Sequence, residues 1–280
     1  MCYDIKASLE AQKSRAQRSG NLDAAQEIEA LLSRHTTLPQ SHINGFNHPV
    51  LGIYTDELPG SISLGRWGLI PHWFQGLAQE LKFNTLNARA ESMFEKAAFA
   101  EAAERHRGIL MIDGFYEYQH RSSGIYPHFI YRKDHKPMAL ACIFEPMPND
   151  KHNDIALSFS IVTIQANELM RGIHNNPRLK QARMPLILTP EMEEQWLLGE
   201  GQKSEVFISS GTRESKFQSL NEKFVRRSQE IVLDCHTVAP LRKKSIKTTK
   251  STDLKHGQDA SAPFNYPELS QNWDLFSGLN

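Results

Sequence analysis

Cys2 stands directly after the initiator methionine, and that position is what makes it chemically distinctive. Once Met1 is removed, a single residue carries an α-amine and a thiol two carbons apart. An α-amine ordinarily titrates near ~8, so part of it is neutral and nucleophilic at pH 7. Such an amine adds to an aldehyde to give an imine, and the neighbouring thiol closes on the imine as a five-membered thiazolidine. A thiol alone gives only a reversible hemithioacetal, and an amine alone a hydrolysable imine. The pair gives a stable adduct. A cysteine after an initiator is often incidental, so the rest of the chain has to carry the reading.

Four other stretches hold groups that could act with it. Leu86-Asn87-Ala88-Arg89-Ala90-Glu91 places an amide, a cation and a carboxylate at alternate positions, on one face if the chain is extended. Asp113-Gly114-Phe115-Tyr116-Glu117-Tyr118 sets a carboxylate among aromatics after a buried strand, where desolvation raises a carboxyl pKa. Ile173-His174 follows a helix-like segment and precedes Arg183-Met184-Pro185. Trp67-Gly68-Leu69-Ile70-Pro71-His72-Trp73-Phe74 is an aromatic cluster with a proline-fixed turn. Each has a plain structural alternative: Trp67 and Trp73 as core, Asn87 as a turn residue, Glu117 as an arginine's partner, His174 as one of twelve histidines.

The elements that must position these groups can be read from periodicity and punctuation. After a short N-terminal strand, residues 6–35 read as two helices, with Gly20 as a left-handed cap and Asn21 as the second N-cap. Leu22, Ala25, Ile28 and Leu32 give the second helix its apolar face. Residues 43–64 read as loop with short strands. A helix is expected over residues 92–106, with Ser92 and Glu95 at capping-box spacing. Apolar runs at 109–112, 126–131, 138–144, 159–164 and 184–188 read as strands, with hairpin-like connections at 122–124 and 133–136. Thr189-Pro190 opens a last helix that Gly199 ends. Strands in succession without βαβ alternation predict an α+β fold. The expectation is a single domain over residues 1–240 with a mostly antiparallel, barrel-like curled sheet and peripheral helices. Residues 241–280 read as a polar, flexible tail that begins with a basic run.

Composition narrows the function classes. With 32 Lys+Arg against 32 Asp+Glu the chain is no polycation, so any nucleic-acid surface must be a local patch. The three cysteines have no CxxC spacing, and the chain has neither HExxH nor a Cys/His cluster, so neither a disulfide framework nor a metal site is indicated. No apolar run is long enough to span a bilayer, and the N-terminus lacks a signal-peptide core, so a cytoplasmic protein is expected.

Met1-Cys2, WGLIPHW, NARAE, GFYEY and IH…RMP, in that order, resemble the SOS response-associated peptidase (SRAP) family over roughly residues 1–198, with a weaker echo at Cys235-His236-Thr237-Val238. The resemblance implies removal of the initiator methionine and covalent capture of abasic sites in single-stranded DNA by Cys2, with lyase-like cleavage as a minor activity. It implies Cys2 as nucleophile and Asn87 as a holder of the amine or sugar. Glu117 would shuttle protons, and His174 would act as acid or base. Arg89 would contact a phosphate, with Glu91 holding that arginine or the loop. Trp73 and Phe74, beside Trp67, would form a base-stacking wedge, and Asn47 is carried over from a loosely matched loop. No cofactor and no metal are implied; the expected partner is abasic single-stranded DNA, bound by a monomer that joins the nucleoid. The sequence departs from the pattern at Tyr3-Asp4, where a Gly-Arg is usual, and in the extra stretch 175–182. Two other readings stay open: an N-terminal-nucleophile amidohydrolase, and a noncatalytic single-strand-binding module.

Overall fold

The computed structural model describes residues 2–35, 41–76, 85–147, 154–198, 224–241 and 259–269. Five strands close into a barrel: β3 (Val50–Thr55), β4 (Ser63–Trp67), β6 (Arg107–Ile112), β9 (Met138–Pro146) and β10 (Ile155–Gln165). Closure comes from the eleven-residue β10, which is long enough to pair β9 on one edge and β4 on the other. Burial runs along the whole of β6 rather than alternating. This marks a strand covered on both faces, here by the barrel interior and by helices outside.

Beyond Phe159, the β4 edge of β10 passes to β5 (Asn87–Arg89), which pairs parallel with Ile161 to Thr163. The chain between β4 and β5 therefore leaves the barrel and returns to the same edge of the same strand. Gly68 makes the exit at φ +119°, and a Cβ there would sit 2.5 Å from the His48 Nδ1. Two short strands, β11 (Arg183–Pro185) and β12 (Ile187–Leu188), divide the expected strand at 184–188 between β10 and β9.

A second sheet runs in the order β13 (Leu233–Thr237), β8 (Gly124–Arg132), β7 (Gly114–Arg121), β1 (Asp4–Lys6) and β2 (Ile43–Asn44). The N-terminal strand is thus internal, antiparallel to β7 with Asp4 opposite Tyr116. The 122–124 connection is a hairpin between β7 and β8. The 133–136 connection is not, because β8 belongs to this sheet and β9 to the barrel.

Outside lie α1 (Leu9–Arg18) and α2 (Leu22–His35), joined through Gly20 at φ +77° and capped by Asn21, whose Oδ1 accepts from the Ala24 amide at 3.0 Å. Ala25, Ile28 and Leu32 are buried as expected, whereas Leu22 is exposed and Ala24 is buried in addition. The helix expected over 92–106 is only α3 (Ala100–Arg105), preceded by turns closed on the Ser92 and Lys96 carbonyls. Three further helices are α4 (Glu168–Ile173), α5 (Pro190–Leu198) and α6 (Arg226–Glu230), with Gly199 outside the described residues. Within the stretch read as a tail, residues 259–269 lie on the second sheet. The Phe264 amide donates to the Thr237 carbonyl at 2.8 Å, the Thr237 hydroxyl donates back to the Phe264 carbonyl at 2.6 Å, and Lys6 Nζ reaches Asp259 Oδ2 and Ser261 Oγ at 2.9 Å each. The basic run at its start lies outside the described residues.

Candidate active site

β1 carries Cys2 to the joint between barrel and second sheet. Its pairing with β7 brings the residues before Asp4 alongside those after Tyr116, so Cys2 and Glu117 become neighbours from opposite strands. Asn87, at the start of β5, donates from Nδ2 to the Cys2 carbonyl oxygen at 2.9 Å. Its Oδ1 is buried and has no hydrogen-bond partner among the described residues. A buried amide oxygen left unmatched is uncommon and calls for a partner.

Cys2 and Glu117 are both buried, and the Glu117 charge acts on the Cys2 thiol. Burial first, and then the Glu117 charge, push the Cys2 thiol well above its ordinary value. Burial is also the main force raising the Glu117 carboxyl, with the positive amino terminus of the chain opposing it. The thiol is therefore held as S–H, and Glu117 holds a proton to higher pH than a surface glutamate would.

His174 ends α4, with Asn167 capping the other end through Oδ1 to the Met170 amide. Two contacts tie this helix to β7: Gln119 Nε2 donates to the Gly172 carbonyl at 3.0 Å, and the His120 amide donates to Asn175 Oδ1 at 2.7 Å. His174 Nδ1 lies 2.8 Å from the Arg183 amide nitrogen and 3.1 Å from the Arg183 carbonyl oxygen. The amide can only donate, so Nδ1 is the acceptor and the ring proton sits on Nε2. Burial, joined by repulsion from the chain's amino terminus, lowers its pKa to about 4. At neutral pH His174 is an uncharged donor through Nε2.

Arg183 organises this wall. Its guanidinium is buried and forks onto Glu91, with Nη1–Oε1 at 3.0 Å and Nη2–Oε2 at 2.7 Å, while Nη2 also reaches the Thr163 carbonyl at 2.6 Å. The cation that Glu91 holds is therefore Arg183 rather than Arg89, one of the two partners expected for it; alternation at β5 ends before Glu91, which lies in the following turn. Sequence reasoning missed Arg183, although the RMP motif contained it. Arg89 is exposed at the end of β5.

The aromatic cluster divides at Gly68. Trp67 ends β4 inside the core, fully buried, with Nε1 on the Leu86 carbonyl at 2.8 Å and its ring stacked on Phe159. It cannot stack on a base, which corrects its expected place at a DNA surface. Trp73 is 43% exposed and lies edge-on to Phe74 at 6.3 Å. Asn47 is exposed in a 3-10 turn (Gly45–Asn47) beside Phe46, which packs on Tyr3. Asp4, in place of a basic residue, is buried with Oδ1 2.8 Å from His42 Nε2. Its charge serves the sheet rather than a solvent face. In the extra stretch 175–182, Asn175 is bonded both ways to the His120 backbone, and Arg178 and Lys180 are exposed.

The site thus gathers a buried cysteine at the second residue, an amide with a spare buried acceptor, a carboxyl that holds its proton to higher pH than usual and a neutral imidazole. No cluster of metal-ligating side chains occurs among the described residues, and no described helix is long and apolar enough to cross a membrane.

Several known proteins resemble this chain. Abasic site processing protein YoqW of Bacillus subtilis is 33% identical over 149 residues, covering 53% of this chain and 62% of that protein. Abasic site processing protein HMCES of Gallus gallus is 30% identical over 47% of this chain and 44% of its own length. The chain therefore spans less than two thirds of these relatives. A crystal structure of a Bacteroides thetaiotaomicron protein superposes with a TM-score of 0.61 at 28% identity, over 85% of this chain and 92% of that one. The family profile described as SOS response associated peptidase (SRAP) matches residues 1–226. With that match over most of its length, the chain belongs to the SRAP family.

Proposed function

We propose that this protein binds single-stranded DNA and captures abasic sites covalently through Cys2, after removal of Met1. The observation that carries the reading is the Asn87 hydrogen bond to the Cys2 carbonyl beside the proton-retaining Glu117. Several relatives are named for abasic site processing, which supports the same substrate. Cys2 is 1% exposed in the chain that carries Met1, so the reading requires that removing Met1 uncover the amine and thiol.

An abasic deoxyribose opens to a C1′ aldehyde. Because the thiol is held as S–H, the Cys2 α-amine attacks first, giving a carbinolamine. Glu117 in its acid form protonates the departing hydroxyl, which leaves as water and yields an iminium. The Cys2 sulfur then adds to that carbon while its proton passes to the Glu117 carboxylate, closing a thiazolidine. Asn87 Oδ1 accepts a hydrogen bond from the amine or a sugar hydroxyl. His174 Nε2–H donates to the ring oxygen as the sugar opens. Reversal uses the same groups, so slow release and minor lyase-like cleavage are expected. Glu117 also serves as the acid in methionine removal, which makes the chain its own peptidase. Trp73 and Phe74 supply a sequence-tolerant stacking wedge, a fitting device for a lesion that occurs in any context. Arg89 supplies a phosphate contact, and the exposed Asn47 a further polar contact to the strand.

The test is incubation of purified protein with single-stranded DNA carrying one abasic site, followed by denaturing electrophoresis. Wild type shifts the DNA, Cys2→Ala does not, and Cys2→Ser shifts it only when borohydride traps the imine. An unshifted wild-type band, or a Cys2→Ala protein that still crosslinks without reductant, overturns the reading. Equal affinity for intact and abasic strands with no covalent product would leave a plain single-strand-binding module. Mass spectrometry of the N-terminus in wild type and Glu117→Ala tests self-processing: equal loss of Met1 from both removes Glu117 from that step.

A further inference from the structure

His72 sits in the exit loop one residue before Trp73, and its Nδ1 lies 2.8 Å from Glu101 Oε2 on α3. Glu145 on β9 presents Oε1 to the same nitrogen at 3.9 Å from the other side, and its side chain is almost wholly buried. Glu101 is itself braced by Arg105 one helical turn on, at 3.3 Å. Trp73 makes its own tether, Nε1 to the Ala97 carbonyl at 3.1 Å. Earlier in the exit loop the Leu69 amide donates to the Thr85 carbonyl at 3.3 Å and the Ile70 amide to Ser158 Oγ at 2.9 Å, and the Phe74 amide closes a turn on Pro71. Together His72, Ala97, Ala100, Glu101, Glu104 and Arg105 line an open cleft at the base of the wedge.

A half-exposed aromatic on a loop stacks well only if its orientation is set beforehand, since ordering it on binding subtracts from affinity. A tether through the Trp73 indole would by itself let the segment after Pro71 pivot about that bond. A second, one residue earlier and on a different side chain, removes the freedom. We propose that the His72–Glu101 pair, backed by Glu145, is a positioning latch that presets Trp73 for stacking on single-stranded DNA. His72 touches no nucleotide in this scheme; it acts through the residue beside it. Burial pushes the Glu145 carboxyl up to about 7, while the His72 charge pulls the other way. The charged groups around the latch are Glu101, Glu104 and Arg105 from α3 and Glu145 from β9.

The inference rests on the single-strand-binding reading, so its test needs one arm that does not. Protein labelled with 5-fluorotryptophan reports the Trp73 environment by 19F NMR without DNA, the resonance being assigned by Trp73→Phe. His72→Ala should shift or broaden that signal, and His72→Asn, whose amide nitrogen occupies the Nδ1 position, should restore it. His72→Gln, which reaches instead to the Nε2 position, should not. With DNA, His72→Ala should weaken noncovalent binding about 3- to 10-fold, part of what a base stack supplies. The crosslinking rate at saturating DNA should change far less than the affinity. Glu101→Gln should match His72→Ala, and the double variant should be no worse than either. An unmoved Trp73 resonance in His72→Ala, or affinity losses that add in the double variant, overturns the latch. A latch signature in 19F with no DNA binding by wild type counts instead against the proposed function.

Discussion

Asn87 Nδ2 donates to the Cys2 carbonyl oxygen at 2.9 Å across 85 residues of sequence, and its other amide atom is buried without a partner among the described residues. The bond fixes the backbone of Cys2, not its thiol. Asn87→Ala should therefore leave Cys2 chemically competent but misplaced. Adduct formation followed on denaturing gels should slow about 100-fold, the scale of an ångström's misplacement at a reacting centre. Lost stability should be only about 1 kcal/mol, the worth of one net hydrogen bond. Unchanged kinetics would show that Asn87 only ties β5 to β1.

Glu117 gives a prediction with opposite signs for activity and stability. Its folded pKa is raised above the unfolded value, so the native state binds more protons and its contribution to stability falls as pH rises. The loss begins in the ordinary carboxylate range and ends at the raised folded pKa. Glu117→Gln removes this burden: its melting temperature should pull ahead of wild type as pH climbs through that window, while adduct formation drops about 100- to 10,000-fold with the proton donor gone. A parallel pH dependence of melting in both proteins would show that Glu117 is not desolvated in solution.

His174 runs the other way. Its folded pKa of about 4 lies below that of an unfolded histidine near ~6.5, so between those values the unfolded chain holds more protons. Acidification from about 6.5 to 4 should cost up to about 3 kcal/mol through this residue. His128, also lowered to about 4 by burial, contributes in both proteins, so the difference between wild type and His174→Gln isolates His174. Urea unfolding across that range should show a shallower pH slope for the variant. Nitrogen shifts of the imidazole should report the Nε2–H form at pH 7.

The two tryptophans flanking the exit loop separate fold from function. Trp67→Ala opens a cavity in the barrel and should cost about 3–5 kcal/mol, read as a large drop in the denaturant midpoint. Trp73→Ala should scarcely move that midpoint, yet weaken single-stranded DNA binding by about 1–3 kcal/mol in a fluorescence-anisotropy titration. Reversed outcomes would place the wedge elsewhere.

Much of this protein is local in its physics, and those parts are legible from residue order. Gly20-Asn21 stops one helix and starts the next, Thr189-Pro190 opens another, and runs such as Ile109 to Ile112 are strands because neighbours in sequence already meet the needs of a covered sheet. The capacity of Cys2 for aminothiol chemistry is likewise a matter of position in the chain. Tertiary structure decided the rest. WGLIPHW reads as one aromatic cluster, but barrel closure puts Trp67 inside and Trp73 outside, because the β10 edge passes from β4 to β5 between them. NARAE reads as one face carrying its own ion pair, yet Arg183, distant in sequence, claims Glu91 because burial of a guanidinium demands a matching carboxylate. The raised carboxyl of Glu117 is legible from its place among aromatics after a buried strand, but the neutrality of His174 could not be read from residue type. It follows from how much water the fold excludes around the ring, a quantity set by strands and helices that meet only when the chain is folded.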